Sequence, residues 1–301
     1  MDVRRCSCVI LNYNDAATVV RLVRNIHGYK CIDHILVVDN CSTDGSWEYL
    51  NTVLGMNKVI CMRTEHNGGY GYGNNFGVRY SFQVLGEKFV LIINPDVEFT
   101  EDCLEACLKE LQSGGDTAIV SPLQLDCAGE PVRQFAWDLG SGLRHLLSCE
   151  FFLRRTLFPL PRAKVDMEAE RTYVDCVPGF FLLVDAEKFL LSGGYHQAMF
   201  LYWEETMLGY RTKRLGWKTV LIPQQKYYHR HSVSIQKNIP QAVSQRRLQH
   251  NSLMVCLKEV WGYGKIRLRL ARLFLDWCLL EDKAVTMLKT MRSGRSRSNV
   301  K

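Results

Sequence analysis

Between residues 7 and 125 short, continuous apolar runs alternate with amphipathic segments, and this rhythm constrains the fold more than any other feature. The runs are "SCVILNY" (7–13), "HILVVD" (34–39), "KVICMR" (58–63), "KFVLIIN" (88–94) and "TAIVSPL" (117–123). Between them stand "DAATVVRLVRNIHG", "STDGSWEYLNTVLG", "YGNNFGVRYSFQVLG" and "EDCLEACLKELQSG". In the first of these, Val19, Val23 and Ile26 fall at helical spacing, with Asp15 placed to cap the start and Gly28 to close the end. Strands without a polar face must be covered on both sides. The pattern therefore predicts an α/β fold: a mostly parallel sheet with helices on both faces. In such sheets ligands bind beyond the carboxyl ends of the strands. Those ends carry Asn12, Tyr13 and Asn14, then Asp39 and Asn40, then Asn67, Gly68 and Gly69, then Asn94, Pro95 and Asp96. Polar groups collect on one rim, which predicts a ligand site there.

With 301 residues the chain can build one large domain or two modest ones. Its formal net charge of +7 suits anionic partners such as nucleotides or phospholipid headgroups. Nucleic-acid binding is not expected, because the basic residues are scattered and no recognition module is present. The 12 cysteines follow no zinc-finger spacing. Cys6 and Cys8 alternate along a strand, and Cys103 and Cys107 can share a helix face. The N-terminal residues read directly into a strand, so no signal peptide is expected, and no apolar run is long enough to span a bilayer. A reducing, cytoplasmic location is expected.

Several residues carry chemistry. A carboxylate at a strand end, as at Asp96, commonly binds a divalent metal that grips a diphosphate, and Glu98 offers a second one; the alternative is a plain turn with an exposed acid. Asp39 can accept hydrogen bonds from a base or ribose, or serve a helix cap with Ser42, Thr43 or Asp44. The stretch "NGGYGYGNNFG" (67–77) matches neither the dinucleotide fingerprint nor a P-loop. Its glycines still permit close backbone approach, and Asn74 and Asn75 would open a helix facing phosphate. Glu204 and Glu205 follow an aromatic group, with Arg211 further along the same helix. A carboxylate in apolar surroundings can act as a general base; an exposed helix start is the alternative. His229 and His231 alternate on a strand and can complete a metal site or grip phosphate.

The order of these motifs resembles the inverting GT-A glycosyltransferases of family 2, most of all their bacterial rhamnosyltransferase-like branch. The carriers are the Asn12-Tyr13-Asn14 strand end, "VVDNCSTDGS", "NGGYGYGNNFG", "NPDV", "FLYWEE" with Arg211, and His229 five residues before Ser234. The resemblance covers about residues 5–235 and implies a Rossmann-like GT-A catalytic domain over 1–240. Residues 1–125 would be its nucleotide-sugar half and 126–240 its acceptor and base half, followed by a C-terminal helical region, 241–301, with a basic tail. It implies a nucleotide-sugar donor, dTDP-L-rhamnose first among candidates with UDP- or GDP-sugars as alternatives. The acceptor would be a glycan or lipid-linked glycan of the cell surface, and Mg²⁺ or Mn²⁺ would assist.

The same resemblance assigns Asn12, Tyr13, Asn14, Asp39, Asn67, Gly69, Asn74, Asn75, Asn94, Asp96 and Arg211 to the donor, and Asp96 and His229 to the metal. Glu205, with Glu204 beside it, becomes the catalytic acid pair. Two positions depart from the branch. His196-Gln197 follows Gly193-Gly194-Tyr195 where an acid pair is usual, and Met207 stands where another acid is usual.

Beyond this, "KIRLRLARLFLDWCLL" (265–280) puts Ile266, Leu270, Leu273, Phe274 and Trp277 on one helical face, flanked by Lys265, Arg269 and Arg272. Such a helix either lies peripherally on the inner membrane or packs on protein, and a homodimer is one form of the latter. A nucleotidyltransferase would want a basic Gly-rich loop in place of "LNYNDAAT". A non-catalytic sugar-nucleotide-binding subunit is the other alternative.

Overall fold

A computed structural model describes residues 5–230 and 242–298, with side chains in the last helix up to 283. The described residues form two compact units, 5–139 with 162–230, and 140–161 with 242–298.

The first unit follows the predicted alternation. Its elements are β1 (Cys6–Asn12), α1 (Ala16–Ile26), β2 (Ile32–Asp39), α2 (Ser46–Leu50), β3 (Val59–Arg63), α3 (Tyr70–Gln83), β4 (Phe89–Ile93), β5 (Val97–Glu98), α4 (Glu101–Ser113) and β6 (Thr117–Leu125). After residue 161 come β7 (Thr172–Val174), β8 (Phe181–Asp185), α7 (Ala186–Leu191), α8 (Glu204–Arg214) and β9 (Lys218–His229). All nine strands join one sheet in the order β3-β2-β1-β4-β8-β6-β9-β5, with β7 also paired to β9. Strands β1, β2, β3, β4, β6 and β9 run one way; β5, β7 and β8 run the other.

Each central strand feeds two cores. Cys6, Cys8 and Ile10 of β1 pack with Leu91 of β4, with Val19, Val23 and Ile26 of α1 and with Leu104 and Leu108 of α4. Val9 of β1 and Ile92 of β4 face the opposite side, against Val78 of α3, Phe189 of α7 and Leu208 of α8. Double-sided burial is why these strands read as unbroken apolar runs. Truncating a side chain such as Leu91 to alanine would cost about 2–5 kcal/mol.

The glycine-rich stretch forms most of α3, and its glycines act by what they leave out. A Cβ at Gly73 would lie 2.2 Å from Leu11 Cδ1, and one at Gly77 would lie 2.5 Å from Val9 Cγ1. Small residues therefore let this helix sit directly on β1. Overpacking of that kind typically costs about 1–3 kcal/mol.

Local expectations shift in three places. Helix α2 is only five residues long, because left-handed Gly45 starts it late and turns follow Leu50. Asp15 does not cap α1 through its side chain, whose Oδ1 instead accepts from Thr18 Oγ1 at 2.9 Å. Helix α1 ends at Ile26 with His27, not Gly28, as its C-terminal cap.

The second unit contains α5 (Gly142–Leu147), α6 (Phe151–Thr156), α9 (Ala242–Glu259) and α10 (Lys265–Ser298). Residues 140–161 thus belong with the C-terminal helices and not with the sheet. The reasons are specific contacts within this unit. The His145 ring lies 4.9 Å from that of Trp261, Trp261 Nε1 donates to Gly140 O at 3.1 Å, and Arg246 Nη2 donates to Cys149 O at 2.8 Å. Among the described residues no helix is long and apolar enough to cross a membrane. All twelve cysteines are free thiols.

Candidate active site

The ends of β1 and β2 meet first. Their register pairs Asn12 with Asp39, and both side chains are fully buried. Asp39 accepts from Asn12 Nδ2 at 2.7 Å, from Ser42 Oγ at 2.5 Å and from Ser42 N at 3.1 Å, and Arg63 Nε lies 3.2 Å from its Oδ2. Asn14, at φ 55°, stitches this loop to the next: its backbone N–H donates to Ser42 Oγ at 2.9 Å and its Oδ1 accepts from Thr43 N at 2.8 Å. Tyr13 is half-buried beside it. Asn40 carries the network onward, donating to Asn67 Oδ1 at 2.9 Å and to Gly69 O at 3.0 Å. Asn40, Ser42 and Arg63 are contributors that the site assignment lacked. Asn40 and Ser42 stand close after Asp39 in the sequence, whereas Arg63 reaches it through the β2–β3 register.

The start of α3 comes next. Gly69 sits at φ 91°, and a Cβ there would lie 2.1 Å from Phe200 O, so only glycine fits. Tyr70 N donates to that same carbonyl at 2.9 Å. Asn74 is buried and donates to Tyr70 O at 3.0 Å; its Oδ1 has no partner among the described residues. Asn75 differs from the expectation of a phosphate-facing residue. Its amide donates to Tyr195 O at 2.8 Å and accepts from Tyr195 N at 2.9 Å, so it clamps the 193–195 turn.

Asn94 and Asp96 leave the tip of β4. Asn94 N donates to Phe180 O at 3.0 Å. Strand β5 then pairs antiparallel with β9, opposing Val97 to His229. This brings His229 Nε2 to 3.2 Å from Asp96 Oδ1. The Phe180 ring stacks on the imidazole at 3.9 Å, and Gln124 Nε2 lies 3.4 Å from its Nδ1. Residues far apart in sequence thus offer a carboxylate and a fixed imidazole, a donor set that fits Mn²⁺ and, through the carboxylate, Mg²⁺. Glu98 does not join them; it pairs with Arg230 Nη2 at 2.9 Å. His231 and Ser234 lie outside the described residues.

The acid pair opens α8 after Tyr202 and Trp203, both in the left-handed region at φ 73° and 69°. Glu205 Oε1 accepts from Gly179 N at 3.0 Å. Burial of its carboxyl pushes its pKa up, against the hydrogen bonds from its own backbone N–H and from Gly179 that pull it down. The side chain nevertheless keeps a partial opening to solvent. Glu204 is buried, and its Oε1 has no partner among the described residues. Burial, and then the neighbouring Glu205 charge, push its pKa well above the ordinary carboxylate range.

Gly179 is a residue sequence reasoning missed. A Cβ there would lie 2.9 Å from Glu205 Oε1 and 3.4 Å from Tyr70 Oη. Tyr70 donates from its hydroxyl to Gly179 O at 2.7 Å. One residue, Gly179, therefore links the start of α3 to the carboxylate through its N–H and its carbonyl. Arg211 lies on α8 near the Gly193 turn, where an added Cβ would be 3.1 Å from its Nη1. Met207 is fully buried, so an acid at that position would be a buried charge. Beside the other departure, His196 Nδ1 accepts from Ala198 N at 3.1 Å and so serves the loop.

Set against known proteins, residues 7–165 match the model of glycosyl transferase family 2. The chain belongs to this family, and its fold is GT-A. A low-salt glycan biosynthesis hexosyltransferase, Agl10 of Haloferax volcanii, is 27% identical over 69% of this chain and 61% of its own length. The N-acetylglucosaminyl-diphospho-decaprenol L-rhamnosyltransferase of Mycobacterium tuberculosis is 25% identical over 88% of this chain and 85% of its own. Among solved structures, GalNAc-T7 with UDP, GalNAc and Mn²⁺ superposes with a TM-score of 0.58 at 16% identity, over 96% of this chain and 58% of that one. The S. aureus TarS 1–349 complex with UDP-GlcNAc superposes at 0.54 with 12% identity, over 89% and 70%. The chain spans less than two thirds of the archaeal relative and of GalNAc-T7.

Proposed function

We propose that the chain is an inverting hexosyltransferase moving a sugar from a nucleoside-diphosphate donor to a hydroxyl of a lipid-linked glycan. The observation that carries this reading is the meeting of Asp96 and His229 at 3.2 Å on the rim that also bears Asp39. The mycobacterial relative favours L-rhamnose as the sugar and a polyprenyl-diphosphate-linked acceptor, and the family resemblance puts dTDP-L-rhamnose first as donor. Twelve free thiols suit a reducing cytoplasmic setting.

In this reading Asp39, with Asn12 and Asn14, presents a fixed polar floor to the base and ribose. The Gly69 turn admits the donor close to the backbone at the start of α3. Asp96 and His229 hold a divalent cation. That ion, when bound, neutralises charge developing on the departing diphosphate. Arg211 adds positive charge near the Gly193 turn. Glu205, oriented by Gly179 N–H, takes the proton of the acceptor hydroxyl. The freed oxygen attacks the anomeric carbon opposite the nucleotide, the bond to the diphosphate breaks, and the anomeric centre inverts. A base whose pKa lies near the working pH combines proton affinity with a populated ionised form, typically contributing roughly 10²–10⁴-fold.

The test is a donor panel. The chain is incubated with dTDP-, UDP- and GDP-sugars, Mg²⁺ or Mn²⁺ and a polyprenyl-diphosphate-linked acceptor, and nucleoside diphosphate release is followed. Release from one donor, lost in Asp96→Ala, is expected. Release unaffected by Asp96→Ala would refute the assignment.

A further inference from the structure

The second unit presents a face that the catalytic reading does not use. Helix α10 buries Ala271, Leu275, Cys278 and Leu279 along one side. Ile266, Leu270, Leu273, Trp277 and Leu280 repeat at helical spacing on another side and are 52–75% exposed. Their Cα positions span 14 residue steps, about 21 Å of helix.

Charge surrounds it unevenly. Lys265, Arg267 and Arg269 are exposed beside the stripe's first half, and Lys283 is exposed beyond its end. Arg272 is half-buried and donates to Asn251 Oδ1 at 2.9 Å. Of the acids on this stretch, Asp282 is engaged by Arg246 at 3.0 Å, and Glu281 is held toward its protonated form by burial and by a hydrogen bond with Glu150. Asp276 is the exposed acid on this stretch. An apolar stripe with a cationic rim matches a surface that offers apolar depth and negative charge together.

We propose that this face of α10 docks in the plane of an anionic phospholipid surface, with Leu270, Leu273 and Trp277 in the acyl boundary and Lys265, Arg267 and Arg269 at the headgroups. Burial of apolar area and attraction to anionic lipid then add. The helix lies on the bilayer and does not cross it. Such docking would hold an enzyme acting on lipid-linked glycan where its acceptor resides. The inference stands on the second unit alone, so its failure leaves the sugar-transfer reading untouched, and the reverse holds as well.

The experiment is co-sedimentation of the full chain with vesicles of equimolar phosphatidylglycerol and phosphatidylcholine, against vesicles of phosphatidylcholine alone. The wild-type chain is expected to sediment with the anionic vesicles and to be released as salt rises. Leu270→Glu with Leu273→Glu should abolish this. Arg267→Ala with Arg269→Ala should weaken it roughly 30-fold, from about five-fold per cation. Both pairs replace exposed side chains, so melting temperature and nucleotide-sugar binding should stay at wild-type values and certify the fold. Equal sedimentation with both vesicle types, or wild-type binding by both variant pairs, would overturn the proposal. A dimer seen by light scattering, lost in Leu270→Glu with Leu273→Glu and unaccompanied by vesicle binding, would overturn it in favour of a second copy of the chain.

Discussion

Asp39 and Glu204 are both withdrawn from water, with Glu205 partly open beside the latter, yet the chain surrounds them in opposite ways. Four donors converge on Asp39, from Asn12, Ser42 twice and Arg63. Glu205 receives Gly179 N–H, and Glu204 Oε1 receives nothing among the described residues. A saturated carboxylate is a fixed piece of architecture, because each donor it binds resists its movement. An undersupplied one is costly to ionise and so competes for a proton. The two ends of the rim thus differ: one is held in shape by its donors, and in the proposed reading the other handles a proton.

Substitutions can break that contrast, beginning with the largest effect. Gly179→Ala should push the Glu205 carboxylate off its position and lower turnover about 10²-fold, as a displacement near 1 Å can. Steady-state kinetics would read this mainly in kcat, with donor affinity preserved. Asp39→Ala should act on the fold as well as the donor. It removes the acceptor of the Ser42 hydroxyl and N–H and of one Asn12 amide hydrogen, and should cost about 1–3 kcal/mol in denaturant unfolding. An unchanged midpoint would mean that Asp39 is not the anchor described.

Glu204→Gln should sharpen the contrast through pH. The folded-state pKa of Glu204 lies above its unfolded value, so its protonated form stabilises the fold at low pH. That contribution is lost as pH rises through the raised pKa. The wild-type melting temperature should therefore fall as pH rises above the ordinary carboxylate range, and fall less in Glu204→Gln. Tyr70→Phe removes the bond to Gly179 O and should have the smallest effect, about 0.5–1.5 kcal/mol by unfolding, with a modest loss of kcat.

The legibility of these features follows their physics. The sheet was readable because double-sided burial writes continuous apolar runs, and the rim was readable because those runs stop at Asn12, Asp39 and Asp96. The contact of Asp96 with His229 was implied by family resemblance and not by spacing; it depends on a two-residue strand, Val97–Glu98, too short to leave a pattern. Gly179 had no signal, since its importance is an absent Cβ beside two side chains from other elements. Asn75 was misplaced because its position at a helix start suggested an anion, while its side chain turns inward to the Tyr195 backbone. The attachment of residues 140–161 to the C-terminal helices rests on contacts such as His145 with Trp261, which no local periodicity encodes.

The central claim is that Glu205 takes the acceptor proton and does not hold the donor. Glu205→Gln keeps the shape and removes the base, so turnover and calorimetric donor binding should be measured on the same preparation. The account predicts donor affinity near wild type with turnover down by roughly 10²–10⁴-fold. Turnover close to wild type, or loss of donor binding in step with turnover, would contradict it.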